Sequence, residues 1–505
     1  MDDRSDRTTR VGRATGATGP ADTRLPDGFR VVLDRRTRVL DDGAALLGGA
    51  PPRLVHLTAK ARALLGTDAT ITVADAASRA LARRLLDAGL AQPVLPAAPL
   101  ERPVPADVTV VVPVKDRTAG LVRLLAALPA GLGGIVVVDD GSADPAAVPT
   151  AAAAHPVPVT VLRNDIARGP AAARNAGLAV ATTRLVAFLD SDVVPRAGWL
   201  DPLLDRFADP AVGLAAPRIV ALAAGGSWVS RYEAVRSSLD LGLDPAPVVP
   251  RSRVAYVPSA ALLVRRDAVG AGFDERLQVA EDVDLVLRLY TEGWRLRYEP
   301  ASHVAHDHRV DVGRWAARKA FYGTGAAPLA LRHPGSVPPM VLSPWSAAVC
   351  ALLLVQRRGA VVLAAGITAV ATERLSRKLG RVRRPRATAV RLIGLGLAGA
   401  LAQTAAALTR HFWPLAVAAC LVSARARRAV ALAAVAEGVV DWWTHRGHDP
   451  HGPGPLGHVL AHRIDDLGYG AGLWWGAWRH RTTAPLRPAG PAHQAGHSVR
   501  ASPNG

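Results

Sequence analysis

Three short acidic blocks hold the residues of this 505-residue chain best suited to chemistry: Asp139-Asp140-Gly141-Ser142, Asp190-Ser191-Asp192 and Glu281-Asp282-Val283-Asp284. Taken singly, each reads as well as a solvated turn. Taken in order, they describe a metal-held diphosphate. Two carboxylates separated by one residue can reach a divalent cation directly or through its water. Mg²⁺ and Mn²⁺ prefer such oxygen ligands and usually keep substrate phosphates in the shell. Such a cation neutralises charge as a nucleotide diphosphate leaves. A carboxylate at the preceding strand end can accept hydrogen bonds from a nucleobase or ribose, and a third across the pocket can serve as general base.

The elements around these blocks predict where they sit. Val108 to Pro113, Gly134 to Asp140, Val157 to Leu162 and Leu185 to Asp190 are apolar, strand-like runs, and helical stretches at Ala119 to Leu128 and Gly169 to Ala181 alternate with them. Apolar strands alternating with helices predict an α/β fold, a mostly parallel sheet covered on both faces by right-handed crossovers. Ligands bind such sheets at the carboxyl ends of the strands, where Lys115-Asp116-Arg117 and the first two acidic blocks fall. Gly169 opens a helix whose N–H groups and Arg174 can face a nucleotide, while Ala171 to Ala173 pack on the sheet. His303, His306 and His308 follow another strand-like run, and Trp294 reads as a packing residue.

The remaining regions differ in composition. Residues 1–27 are polar, with no apolar leader, so they are expected to lack fixed structure and the chain to start in the cytoplasm. Residues 28–95 read as a small α+β module, with Thr58 capping one helix and Gly89 ending another, followed by a Pro-rich linker. The catalytic domain is expected over 106–335, a helical membrane-associated region over 336–480, and an unstructured tail over 481–505. Half of the residues are apolar, which excludes a disordered chain, and two cysteines, Cys350 and Cys420, exclude a disulfide scaffold and a Cys-rich zinc site. Most of the formal charge of +19 lies beyond Arg357. The four apolar segments there, from Val341 to Ala424, each fall short of the ~20 residues needed to span a bilayer. With the basic stretch Arg374 to Arg391 between them, and Trp413, Trp442, Trp443, Trp474, Trp475 and Trp478 as interfacial anchors, they predict re-entrant, hairpin or tilted helices on an anionic membrane. A soluble Ala-rich bundle is the alternative. Nucleic acid is disfavoured as a partner, because the basic residues lie between apolar segments rather than among aromatics on a folded surface.

The blocks Val-Pro-Val (112–114), Asp-Asp-Gly-Ser (139–142), Gly-Pro-Ala-Ala-Ala-Arg-Asn (169–175), Asp-Ser-Asp (190–192) and Glu-Asp-Val-Asp-Leu (281–285), in that order, resemble a family 2 glycosyltransferase of the GT-A fold over roughly 108–325. The resemblance implies inverting transfer from a nucleotide sugar, usually a UDP-sugar, with Mg²⁺ or Mn²⁺. It places Asp139 on the uracil, with Pro113, Val114, Asp116 and Asp140 around the same nucleotide and Arg174 and Ser191 beside it. It implies Asp192 and His306 at the metal, Asp190 beside the ribose and sugar, Asp282 as the base and Glu281 near the acceptor or sugar hydroxyls. Where processive synthases carry Gln-x-x-Arg-Trp, this chain has Asp311-Val312-Gly313-Arg314-Trp315. That departure argues against a long-chain synthase and leaves Arg314 and Trp315 as candidate acceptor contacts.

The whole-chain layout is similar to one subgroup, the glycosyltransferases of the mycofactocin system. The match rests on the N-terminal module, on Pro258 to Arg266 leading into Gly272-Phe273-Asp274-Glu275, and on the terminal block Arg463 to Trp474. This resemblance implies UDP-glucose as donor, a peptide-derived redox cofactor precursor as acceptor and a β-linked glucose product. The apolar segments, the basic loop and the polar N-terminus predict a cell-membrane location with the catalytic domain on the cytoplasmic face. The N-terminal module is also similar to small domains that add a pathway peptide to a sheet edge. Two alternatives stay open: transfer to a polyprenyl phosphate or cell-envelope glycan, and a non-catalytic nucleotide-sugar-binding scaffold.

Overall fold

The computed structural model describes residues 19–66, 68–94, 101–222, 226–308, 311–447 and 452–491. Most of the leader 1–27 and of the tail 481–505, and the middle of the Pro-rich linker, lie outside the described residues. The parts that are described differ from the expectation. Leu25, 1% exposed, packs with Phe29, Val31, Ile71 and Leu85 in the core of the N-terminal module. Beyond residue 480, Pro485 borders the main cavity and Ala489 forms a bridge with Val341.

The module contains two small antiparallel sheets. One orders Thr70–Thr72, Arg30–Leu33 and Ala91–Pro93, the other Arg38–Leu40, Ala45–Gly48 and Arg53–His56. Helix Ala59–Leu64 starts at Thr58, whose hydroxyl accepts the Ala61 N–H as expected. Helix Ala76–Asp87 starts at Asp75 in a capping box and is followed by Gly89 at φ 67°. At the Ala91–Pro93 edge, Arg206 Nη1 donates to the Pro93 carbonyl (2.9 Å). Arg83 makes a forked pair with Asp209 (2.6 and 2.8 Å), and Arg295 pairs with Asp87 (2.8 Å), so the module is fixed to the catalytic domain.

The catalytic sheet runs Val193–Pro195, Arg295–His306, Val212–Ala221, Ala261–Arg265, Leu185–Leu189, Val108–Val114, Gly134–Asp140, Thr160–Asn164, with Ala246–Pro247 also paired to Arg295–His306. The last four strands in this order are parallel, as expected of the crossovers. Ala261–Arg265 reverses the sheet by pairing antiparallel with both of its neighbours. The sheet is therefore mixed, and the four parallel strands precede the reversing strand in the chain. Helix Pro170–Val180 lies close on that parallel part, where a side chain at Gly177 would collide with Val111. Ala171, Ala172 and Ala173 are buried against it, and Trp294, 5% exposed, packs over Gly213.

Two of the four apolar C-terminal segments are longer as helices than as apolar runs, while the other two form the shorter helices Pro344–Val355 and Trp413–Val422. Arg358–Lys378 has 21 residues and Pro385–His411 has 27, long and apolar enough to cross a bilayer. They extend because the flanking charged residues are good helix formers, and Glu373 pairs with Arg377 one turn on (2.9 Å). The terminal block forms helix Pro455–Arg479, which packs on helix Val312–Thr324 along a stripe of glycines. A methyl at Gly472 would collide with the Ala320 carbonyl, one at Gly476 would lie 2.7 Å from the Thr324 oxygen, and one at Gly468 3.1 Å from the Ala316 oxygen. Gly472→Ala must therefore push two backbones apart. The expected result is a loss of about 1–3 kcal/mol or more, read as a lower denaturation midpoint.

Candidate active site

A cavity of about 1040 Å³ opens at the carboxyl ends of the parallel strands. Its walls include Pro113, Val114, Asp140, Arg174, Asp190, Ser191, Asp192, Glu281, Asp282 and His306. Ten of the fourteen expected site residues thus meet there. Asp116, Asp139, Arg314 and Trp315 do not.

Asp282 has the environment of a base. It lies on the first turn of helix Glu281–Thr291, and each carboxylate oxygen accepts a main-chain N–H: Oδ2 from Ser259 (3.0 Å) and Oδ1 from Val283 (2.8 Å). Burial, and then the neighbouring Glu281 carboxylate, push its pKa up from 3.8 to about 6. Asp284, two residues on, is the opposite case. It is fully buried and bonded to Arg288 (3.1 Å), Arg332 (2.8 Å) and His333 (2.8 Å). Burial disfavours its charge, but the bonds from His333 and Arg332 win and hold it below the usual carboxylate range. Two carboxylates on one helical turn are thereby shifted in opposite directions. Ala280, just before the helix, sits at φ 67°, a left-handed conformation that is costly for a residue with a side chain.

Arg174 joins the two acidic sides of the cavity. It is 2% exposed, with Nη2 on Asp190 Oδ1 (2.6 Å) and Nη1 on Glu281 Oε1 (2.9 Å), and its guanidinium stacks 5.3 Å from the Phe273 ring. Arg174 lines the cavity, and each of its terminal nitrogens bonds a carboxylate.

Asp192 and His306 are brought together by the antiparallel pairing of Val193 with His306. His306 Nε2 lies 3.6 Å from Asp192 Oδ1, while Arg117 Nη1 lies 3.0 Å from Asp192 Oδ2. Two donors bonded to one octahedral cation at about 2.1 Å and at a right angle stand about 3.0 Å apart. The pair therefore needs to close by a little over half an ångström to hold such an ion. Two protein ligands suit Mg²⁺ or Mn²⁺, which fill their remaining positions with water and phosphate oxygens.

The remaining expected residues build the walls from behind. Asp139 is fully buried; it accepts the Ser142 N–H (2.9 Å) and pairs with Arg163. Asp116, at φ 55°, donates its N–H to Ser142 Oγ (3.0 Å) and accepts the Ala143 N–H (2.8 Å), joining two strand-end loops. Asp140 accepts N–H bonds from Arg168 (2.9 Å) and Gly169 (2.8 Å), so it shapes the turn into helix Pro170–Val180.

The placement of Arg314 and Trp315 at the acceptor is corrected. Trp315 is buried between Trp228 and Tyr232 with its indole N–H on Glu233 (2.7 Å), and Arg314 is exposed away from the cavity. The cavity wall begins one turn later on the same helix, at Arg318, Phe321 and Tyr322, and is completed by Tyr256, Arg410 and Tyr469. The i, i+4 spacing of Arg318 and Tyr322, whose Nε and hydroxyl lie 3.1 Å apart, was the available signal.

Residues 109–269 match the family model described as glycosyl transferase family 2. The chain is 50% identical over 475 residues to a pre-mycofactocin glycosyltransferase of Mycobacterium tuberculosis, covering 92% of this chain and 98% of that protein. It is 29% identical over 228 residues to succinoglycan biosynthesis protein ExoO of Rhizobium meliloti, covering 41% of this chain and 63% of that protein. Among solved structures, a mannosyltransferase of Pyrobaculum calidifontis in complex with GDP-Man and Mn²⁺ is similar at a TM-score of 0.35 and 21% identity, over 61% of this chain and 91% of that one. With half of its residues shared across nearly the whole length of the mycobacterial protein, this chain belongs to the family 2 glycosyltransferases, in the group of the pre-mycofactocin glycosyltransferases.

Proposed function

We propose that this glycosyltransferase moves glucose from UDP-glucose, with inversion, onto a hydroxyl of pre-mycofactocin to give a β-linked product. The observation that carries the chemistry is Asp282, desolvated and held by two main-chain N–H groups on the wall of the cavity that also holds Asp190, Ser191 and Asp192. Inversion needs one base and a leaving group on opposite faces of the sugar, and no covalent nucleophile. Asp282 takes the proton from the acceptor hydroxyl as that oxygen attacks the anomeric carbon, and the nucleoside diphosphate departs. Asp192 and His306 would hold a divalent cation, which would neutralise charge on the diphosphate. Pro113 and Val114 border the nucleotide, with Asp116 and Asp139 fixing the loops around it. Asp190, paired with Arg174, faces the ribose and sugar hydroxyls. The choice of acceptor is supported by the 50% identical relative, which is named for pre-mycofactocin, while glucose rests on the resemblance read from the sequence.

A second reading has a specific observation in its favour. Gln403, Arg410 and His411 come from an apolar C-terminal helix and line the same cavity, which would also suit a polyprenyl phosphate acceptor.

The test is nucleotide release by the purified full chain with Mn²⁺ or Mg²⁺ and a panel of UDP- and GDP-sugars, with and without the peptide-derived acceptor. Turnover of UDP-glucose that requires that acceptor is the expected result. Turnover only with a polyprenyl phosphate moves the enzyme to envelope synthesis, and no release under any condition leaves a nucleotide-sugar-binding scaffold. In the same assay, Asp192→Ala and His306→Ala should each raise the Mn²⁺ concentration for half-maximal rate by at least about tenfold, since even outer partners of metal ligands contribute that much.

A further inference from the structure

The helix Pro385–His411 is long and apolar enough to cross a bilayer, with a mean hydropathy of 1.6, yet both of its ends are fastened to the water-soluble body. At its start, Leu379, Val382 and Ala389 form a small core with Leu40 and Leu54 of the N-terminal module, and the Arg383 N–H bonds the Asp41 carboxylate (3.1 Å). At its far end, Gln403 accepts the Val341 N–H (2.9 Å), Thr409 bonds Asp466 (3.2 Å) and the His411 carbonyl accepts the Trp474 indole (2.7 Å). Gln403, Arg410 and His411 also line the catalytic cavity. The bodies at the two ends are joined directly by the Arg83–Asp209 and Arg295–Asp87 pairs.

Twenty-seven helical residues span about 40 Å, against about 30 Å of bilayer hydrocarbon. A crossing helix would place either the N-terminal module or the catalytic cavity on the far side of the membrane, and both are parts of one joined body. We propose that the protein is monotopic: the helix lies along the body in the plane of the interface, and with helices Pro344–Val355, Arg358–Lys378 and Trp413–Val422 it sits in a single leaflet of an anionic membrane.

Two observations identify lipid as the occupant of this surface. The outer faces are apolar and open: Val362 is 72% exposed, Val390 61%, Leu395 60%, Leu421 79% and Val422 88%, far more than a soluble surface carries in one region. Basic groups flank the apolar segments at both ends. Eight Lys and Arg lie between Arg374 and Arg391. Arg357 and Arg358 lie on another turn, held beside Arg425 by the Gln356 side chain on the Arg425 carbonyl (2.7 Å). In a spanning arrangement one of these basic groups would face outward, against the bias of cytoplasmic loops for Lys and Arg. In the plane of one cytoplasmic leaflet, both meet anionic headgroups.

The test uses the full chain. Cosedimentation with vesicles of phosphatidylcholine and phosphatidylglycerol should exceed that with phosphatidylcholine alone by at least about tenfold and fall as salt rises. In intact expressing cells, external trypsin should leave the chain uncut and opening the cells should expose it. With Cys350 and Cys420 replaced by Ala, an impermeant maleimide should reach Arg381→Cys and Arg425→Cys only after the cells are opened. Cleavage or labelling of either turn from outside would overturn the proposal, as would failure to bind anionic vesicles.

Discussion

Asp282→Asn lowers kcat/KM for sugar transfer by about 10²–10⁴-fold, the usual contribution of a general base, while nucleotide-sugar binding holds within about twofold. The variant keeps the shape of the side chain and removes only the proton acceptor. It also places an amide NH₂ where Ser259 or Val283 now points an N–H, so thermal unfolding of the variant belongs beside the kinetics. The wild-type pH profile carries the same assignment. With its pKa near 6, Asp282 is ionised at neutral pH, and kcat/KM falls about tenfold per pH unit below that value. The stability effect has the opposite sign. Because the folded pKa lies above the ordinary 3.8, the fold favours the protonated form; this contribution is complete below about pH 4 and is lost as pH rises through about 6. Asp282→Asn should remove both dependences. An acid limb that persists in the variant would assign the base elsewhere.

Arg174→Met lowers unfolding stability by about 3–5 kcal/mol, the cost of leaving buried charge uncompensated. Two carboxylates lose their partner at once, Asp190 at 2.6 Å and Glu281 at 2.9 Å. Denaturant midpoints measure this loss. Kinetics supply a readout that packing alone would not move. Arg174 also acts to lower the Asp282 pKa, so its removal shifts the acid limb of the rate profile upward. Arg174→Lys should recover only part of the loss, because an ammonium lacks the rigid planar fork that sets one nitrogen on Asp190 and the other on Glu281.

The comparison of sequence with fold shows which signals carry how far. Runs such as Gly134 to Asp140 announced both their strands and the end at which ligands bind, because a fully covered strand has no polar interruption until it leaves the sheet. The reversal at Ala261–Arg265 carried no such mark: an apolar run in mid-sheet reads the same in either direction. Strand-end position located Asp139 and Asp140 but could not separate them. Successive residues point to opposite faces, so Asp140 borders the cavity while Asp139 turns back to Arg163. Asp282 and Asp284 differ in the same way, and their pKa values depend on Ser259, Arg332 and His333, which are distant in sequence. Trp315 was misplaced because a motif gives residue type without helical phase; its face of the helix turns toward Tyr232 and Glu233. The C-terminal helices looked too short because apolar composition stops where charge begins, whereas the helical hydrogen-bond ladder continues through Lys and Arg.

The mooring of Asp282 has a consequence for how such enzymes diversify. Its two oxygens are oriented by peptide groups, one from the Ser259 loop and one from its own helix, rather than by neighbouring side chains. Peptide groups are the part of a protein that point mutation leaves in place. Another part of the cavity wall, by contrast, is built from side chains, Arg318 and Tyr322 on one helix and Tyr469 on a second. With Asp282 as the proposed base, substitutions there would retune which hydroxyl is presented while the carboxylate stays aimed, so acceptor choice could drift without each change having to rebuild the catalytic step.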